Sequence, residues 1–191
     1  MTQALIWENG RFCEDSWLNL EAEENLDTLQ DVKGNIILSW RQFNRIDYKS
    51  HKGKLGLCVH VGDDLEEISK SLAKFDVIVV NFPAFADGRA FSIARLIRDK
   101  YGFKGDIRAN GVYILDQMPM LQRCGVTSFI ISSDAVKAGL ERGLWPDIPY
   151  YYQKALDGEG NRARTREVAG KRPWLSLNTV LDNDKAHQSA A

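Results

Sequence analysis

The link Phe82-Pro83-Ala84-Phe85-Ala86-Asp87-Gly88-Arg89 joins a β-branched run to an amphipathic stretch, and it holds the residue types best suited to ligand chemistry. Asp87 can accept the unsatisfied N–H groups of a following helix, and Gly88 permits close backbone approach. Arg89, one residue inside that helix, can clamp a carboxylate or phosphate beside the positive helix end. Arg108, read as ending the next strand, and Asp116-Gln117, read as opening the next helix, extend this into an alternating acid and base rim. The ligand-binding candidates are therefore Asp87, Arg89, Arg108, Asp116 and Gln117, at the C-terminal ends of strands. In an enzyme, the two arginines would stabilise an anionic substrate or developing negative charge, with Asp87 or Asp116 orienting the site. The same residues also read as an Asp-capped helix and salt-bridged turns that lock adjacent strands. No residue is assigned a catalytic role, and the pattern leaves open whether the protein is an enzyme.

His60 is the only histidine placed near a predicted strand end, where an imidazole could serve as a general acid or base. It has no partner at motif spacing, and with His51 and His187 it forms no metal-ligand motif. Cys13, Cys58 and Cys124 are too irregularly spaced for a disulfide framework or a paired thiolate site, so they read as reduced thiols. Cys124 precedes Gly125 at a helix C-terminus, the wrong end to stabilise a thiolate, and Cys58 within Leu57-Cys58-Val59 reads as packing. There is no glycine-rich dinucleotide turn, no Walker motif and no iron-sulfur ligand run. No cofactor and no metal are expected.

With 25 basic and 26 acidic residues, the net charge of -1 predicts no bulk attraction to nucleic acid or anionic lipid. The N-terminus lacks the basic and apolar regions of a signal peptide, and no apolar run approaches the ~20 residues that span a bilayer. The expected setting is the cytoplasm. A homo-oligomer is compatible with this composition.

The elements that must position the rim alternate along the chain. Leu5 to Trp7 and Phe12-Cys13, around Asn9-Gly10, predict an N-terminal β-hairpin. Ile36-Ile37-Leu38 is a buried run that suits strand or helix, and the acidic stretch Glu21 to Asp31 reads as exposed. Leu55 to Val61 predicts a strand, with Asp63 or Asp64 capping a helix that carries Leu65, Ile68 and Leu72. Asp76 to Val80 is a β-branched strand, followed by a helix whose Ala90, Ile93, Ala94 and Ile97 form one apolar stripe. Asp106 to Ala109 is a short strand with a turn at Asn110-Gly111; Asp116 then caps a helix that holds Pro119 in its first turn. Thr127 to Ile131 is a strand, and Ser133 caps a helix from Asp134 to Arg142 that Gly143 ends.

Short helices between buried strands require parallel connections, which gives an α/β fold with a mostly parallel sheet of about five strands. An open three-layer sheet is the favoured arrangement, with an incomplete βα barrel as the alternative, since a full barrel needs ~250 residues. Residues 1–50 are read as a hairpin and connecting segment of the same domain, 51–157 as the βα core, with Ile148 to Gln153 as a further strand, and 158–191 as a charged extension. In that extension Trp174, Leu175 and Leu177 could dock back on the body.

From Phe82 to Phe129 the chain resembles the bacterial domain of unknown function 934 family, whose members are often labelled oxidoreductase-associated. The resemblance rests on Phe82-Pro83, Phe85, Asp87-Gly88-Arg89, Ser92-Ile93-Ala94-Arg95-Leu96 and Arg98. It continues through Gly102-Phe103, Gly105-Asp106-Ile107-Arg108-Ala109, Asp116-Gln117, Leu121, Arg123-Cys124-Gly125 and Phe129, with Tyr152-Gln153 as the aromatic-glutamine close. The chain departs from the pattern at Asn110-Gly111-Val112, where the family commonly has Val-Gly-Asp, and at Pro119. The resemblance implies an accessory role in assimilatory sulfite or nitrite reduction, with a reductase component as partner. The rim residues imply instead a small anionic ligand.

Overall fold

A computed structural model describes residues 4–23 and 32–146. The expected strand over Ile148 to Gln153, the Tyr152-Gln153 close, the extension and most of the acidic stretch lie outside the described residues. Among the described residues eight strands form one sheet in the order β2-β1-β8-β7-β6-β5-β4-β3. They are β1 (Leu5–Glu8), β2 (Arg11–Glu14), β3 (Trp17–Asn19), β4 (Asn35–Ser39), β5 (Leu55–Val59), β6 (Val77–Phe82), β7 (Asp106–Gly111) and β8 (Ser128–Ile130). Strands β3 to β8 are parallel, and β1 joins β8 antiparallel while carrying β2 as a hairpin. Asn9 and Gly10, at φ 51° and 77°, make the hairpin turn that their side chains permit.

The favoured three-layer sheet does not form; the sheet curls into an open half-barrel instead. From β3 to β8 each strand is added beside its predecessor in chain order, with no reversal. Right-handed crossovers that never reverse direction place every helix on the same face, whereas a three-layer sheet needs a switch point. A second constraint acts at the edges. β2 and β3 are the two outermost strands, yet only Asp15 and Ser16 separate them. Eight strands laid flat at ~4.8 Å would hold those edges roughly 34 Å apart. The step from Glu14 to Trp17 spans at most about 11 Å, so the sheet has to curl. Residues 11–19 thus act as a strap, pairing first with β1 and then, beyond Asp15-Ser16, with β4.

The helices α1 (Trp40–Arg45), α2 (Leu65–Ser69), α3 (Arg89–Asp99), α4 (Met118–Arg123) and α5 (Asp134–Glu141) pack on the convex side. There Leu57, Val59, Ile78, Val80, Ile107, Ala109 and Phe129 meet Ile68, the α3 stripe of Ala90, Ile93, Ala94 and Ile97, then Leu121 and Leu140. Alternate strand residues face the concave side, where Ile37, Cys58, Val77 and Val79 make a smaller apolar layer with Trp17 and Ile130. A side chain at Gly56 would collide there with Val77 and Ile37, so glycine keeps the inner layer closed.

Helix ends follow local chemistry in most places. The Asp64 carboxylate takes the N–H groups of Glu66 and Glu67, and Ser133 takes that of Val136. Gly143, at φ 74°, follows α5 as expected. Two expectations are corrected. Asp116 does not cap α4: it lies exposed in a 3-10 turn, Leu115–Gln117, and Gln117 occupies the capping position, with Pro119 in the first turn. Asn110-Gly111 is not a turn but the end of β7. Gly111 there adopts φ 107°, and a Cβ would lie 2.2 Å from the Phe82 carbonyl oxygen. Among the described residues no helix is long and apolar enough to cross a membrane.

The strap is fastened from inside. Arg108, on the concave face of β7 and 4% exposed, reaches Asp15 with Nη1 to Oδ1 at 2.8 Å. Its Nε and Nη2 donate to Asp106 Oδ2 at 3.2 and 3.0 Å, and Nε also donates to the Ser128 hydroxyl at 3.1 Å. Removing one partner of such a pair strands a buried charge, so Arg108→Ala is expected to lower the unfolding free energy by about 3–5 kcal/mol. Replacing Arg108 and Asp15 together with apolar residues should recover most of that loss. Urea denaturation of the three variants measures both, and a single substitution costing less than about 0.5 kcal/mol would mean that the pair does not hold the strap.

Candidate functional site at the strand ends

The concave face carries polar groups at both ends. At the N-terminal ends of the parallel strands a cavity of about 350 Å³ lies under the strap, lined by Arg108, Lys54, Asp15, Asp76 and Asp106 among others. The Thr127 and Ser128 hydroxyls donate to Asp106 at 2.5 and 2.8 Å, so this end is knit together by its own partners. Carboxylates outnumber cations in its lining, and Arg108 is already paired with two of them.

The C-terminal ends hold a different set. Cys58 is the last concave-facing residue of β5, fully buried, and His60 follows the strand. A tight turn sets the histidine: its backbone N–H donates to Asp63 Oδ2 at 2.7 Å, while the Asp63 N–H donates to the His60 carbonyl at 3.2 Å. Glu21, in the chain leaving β3, places Oε1 2.5 Å from His60 Nε2. On the other side of the ring, Nδ1 lies 3.9 Å from Asp63 Oδ2.

Glu21 is in turn fixed by α1. The Gln42 side-chain amide donates to the carbonyls of Leu20 at 2.7 Å and Glu23 at 3.0 Å, and its oxygen accepts from Ser39 in a capping box. One helix-start signal therefore also positions an acidic residue on a neighbouring segment. Burial, and next the Glu21 carboxylate, push the Cys58 thiol far above its ordinary range. The strand end thus brings a thiol, a carboxyl group and an imidazole together, their polar atoms within 4.8 Å of one another. Asn81 and Asn110, at the ends of β6 and β7, continue this polar row with an amide contact of 3.4 Å.

The expected rim is assembled only in part. Asp87 and Arg89 sit where α3 begins. Asp87 accepts the Arg89 backbone N–H at 3.1 Å and its Nε and Nη2 at 2.9 and 2.6 Å. The Arg89 side chain remains largely in solvent. Gln117 comes beside them, its amide donating to the Phe85 carbonyl at 3.4 Å, so the turns after β6 and β7 are tied together. Asp116 is exposed on the same turn. Arg108 is not on this rim: it is the third residue of β7, and its guanidinium faces Asp15 at the opposite end.

Glu21 and Cys58 were missed as site residues. Glu21 sits in an acidic stretch that reads as exposed, yet it is half-buried against His60. One signal was present: in Leu57-Cys58-Val59 the cysteine must face opposite its neighbours, hence away from the helices once these share a face.

Residues 56–161 match the family described as "Bacterial protein of unknown function (DUF934)". The chain belongs to this family. No curated protein and no solved structure matches it. The family match includes Cys58, His60 and every rim candidate, whereas Glu21 and the strap precede it.

Hydrogen bonds from Arg89 hold the Asp87 carboxyl down at about 2, below its ordinary 3.8. Because the folded value is the lower one, the pair's contribution to folding is complete above the ordinary value and is lost as pH falls through about 2. A carbon-detected NMR titration of the Asp87 carboxyl is expected to give a midpoint of about 2, moving towards 3.8 in Arg89→Ala. An unchanged midpoint in the variant would show that the two side chains are not paired in solution.

Proposed function

We propose that the protein binds a small anionic molecule at the C-terminal mouth of the half-barrel and performs proton-transfer chemistry on it. The observation that carries this reading is the close pairing of Glu21 and His60, 2.5 Å apart, at the end of β5. Strand C-terminal ends are where βα folds gather catalytic groups from several turns. In this reading His60 is the proton-transferring group and Glu21, at Nε2, orients its ring.

Arg89 supplies the anion contact. It opens the helix after β6, the strand next to β5. Unlike α2 and α5, α3 has no acidic residue in its first turn and no side-chain cap at Gly88. The Asp87 carboxylate already takes the Arg89 backbone N–H and the Nε–Nη2 edge of its guanidinium, so Arg89 offers a carboxylate or oxyanion its remaining solvent-facing N–H groups, with Gln117 and Asp116 on the adjoining turn. Arg108 has no ligand role in this reading.

Isothermal calorimetry with phosphate, sulfate, sulfite and nitrite tests it. At least one anion should bind, and Arg89→Lys should weaken that binding roughly 10-fold or more, since charge survives but the planar fork does not. Absence of binding by all four, or undiminished binding in Arg89→Ala, would refute the reading.

A second reading is an accessory protein that docks on a partner, the sulfite or nitrite reductase component that the family resemblance implies, and one surface feature is compatible with docking. Phe85 and Val112 are 53% and 54% exposed, and Ile114 is 42% exposed, all on the tied turns after β6 and β7. Where large apolar side chains in solvent form one patch, they mark a protein contact. Phe85→Ser combined with Ile114→Ser should abolish co-purification with the reductase component while leaving Arg89-dependent anion binding intact. Retained co-purification would exclude this surface.

A further inference from the structure

We infer that Glu21, Cys58 and His60 form a binding site for one Zn²⁺ ion, held by a carboxylate oxygen, Sγ and Nε2. This rests on the reading of the C-terminal mouth as the anion-binding end of the molecule; with the ion bound, His60 Nε2 and Glu21 would serve as its ligands in place of exchanging a proton. Each of the three residues offers one ligand atom, and these atoms all lie within 4.8 Å of one another. A tetrahedral Zn²⁺ with bonds of about 2.0–2.3 Å sets its ligands roughly 3.3–3.6 Å apart, so the trio needs only side-chain adjustments of about an ångström to close on the ion. One carboxylate, one thiolate and one imidazole suit zinc better than magnesium or calcium, which take oxygen ligands.

The surroundings also fit. Glu21 faces Nε2 of His60, and Asp63 Oδ2 lies 3.9 Å from Nδ1, beyond hydrogen-bond distance but on the side from which a carboxylate can orient a metal-bound imidazole. Asp63 also holds the His60 backbone, and Gln42 holds the segment that delivers Glu21, so each ligand side chain is backed by a fixed element. Cys58 cannot move far, being enclosed by β4, β5 and β6. Three protein ligands leave the fourth position of a tetrahedral ion open, as in zinc sites that bind water or substrate. His60 and Glu21 are partly exposed, so that position would be open to solvent. On binding, the Cys58 proton leaves to solvent and sulfur ligates as thiolate.

Cobalt(II) titration of the metal-free full chain is the test. One Co²⁺ per chain should bind with a thiolate-to-metal charge-transfer band in the near ultraviolet and the strong visible absorption of a tetrahedral site, and Zn²⁺ should displace it. Cys58→Ser should remove the charge-transfer band, whereas Cys124→Ser should keep it. His60→Ala and Glu21→Gln, both at partly exposed positions, should weaken binding at least as much as Asp63→Asn, for which a loss of about 10–100-fold is expected. Absence of a charge-transfer band in the wild type, a band surviving Cys58→Ser, or affinity unmoved by His60→Ala and Glu21→Gln would overturn the inference. Calorimetry with anions on metal-free protein separates the two readings: Arg89-dependent anion binding without a metal site removes the zinc and keeps the mouth, while loss of both removes the mouth as well.

Discussion

Two residues, Asp15 and Ser16, connect the two edges of an eight-stranded sheet, and this connection governs the shape of everything else. A chain that short cannot cross a flat sheet, so the sheet must bend until its edges approach. Bending creates an inside, and the inside is where both polar clusters are found. The Arg108 to Asp15 contact then sets the strap's position from within, joining the middle of β7 to the corner between β2 and β3. The ion pair contributes little net stability by itself, because desolvation of two charges offsets most of their attraction. Its value is in geometry: a strap displaced from this position would leave two buried charges unmatched, so alternative closures of the sheet are disfavoured.

The two ends of the concave face do different work for a reason rooted in strand direction. At the N-terminal ends, Asp106, Ser128, Thr127, Arg108 and Asp15 satisfy one another, and little bonding capacity is left over. At the C-terminal ends, β4 to β8 hand the chain to βα turns, so side chains there can vary without disturbing the ladder. Glu21, His60, Asp87, Arg89 and Gln117 all stand on or beside such turns. On the proposed reading the fold separates a stability end from a ligand-binding end, and Arg108 belongs to the first although its chemistry would have suited the second.

Local elements were legible in the sequence because their causes are local. The α3 stripe, the Asn9-Gly10 turn, the Asp64 and Ser133 caps and the parallel βα alternation all follow from nearest-neighbour spacing. Strand order was not legible, since no local feature distinguishes a sheet that reverses from one that curls. β3 was invisible for a related reason: Trp17–Asn19 has only three residues, and its strand character comes from pairing with β4. Arg108 was misplaced because Asn110-Gly111 reads as a turn, whereas the Gly111 backbone at φ 107° continues β7 against the Phe82 carbonyl. Ending the strand two residues early moved an interior arginine to the rim. Glu21 escaped because its partners, Cys58 and His60, are far along the chain and are met only through the β3-β4-β5 pairing.

That pairing also explains why the site depends on residues outside the family match. β5 supplies Cys58 and His60 from within residues 56–161, but Glu21 arrives on the chain that leaves β3, and β3 is held at the sheet edge by the strap. Gln42 couples the same segment to α1. A change at Asp15 would therefore be felt at Glu21 through a few residues of strand, although the two lie at opposite ends of the concave face. The Arg108 to Asp15 pair stands behind the C-terminal mouth by keeping β3 docked on β4, and with it the carboxylate beside His60.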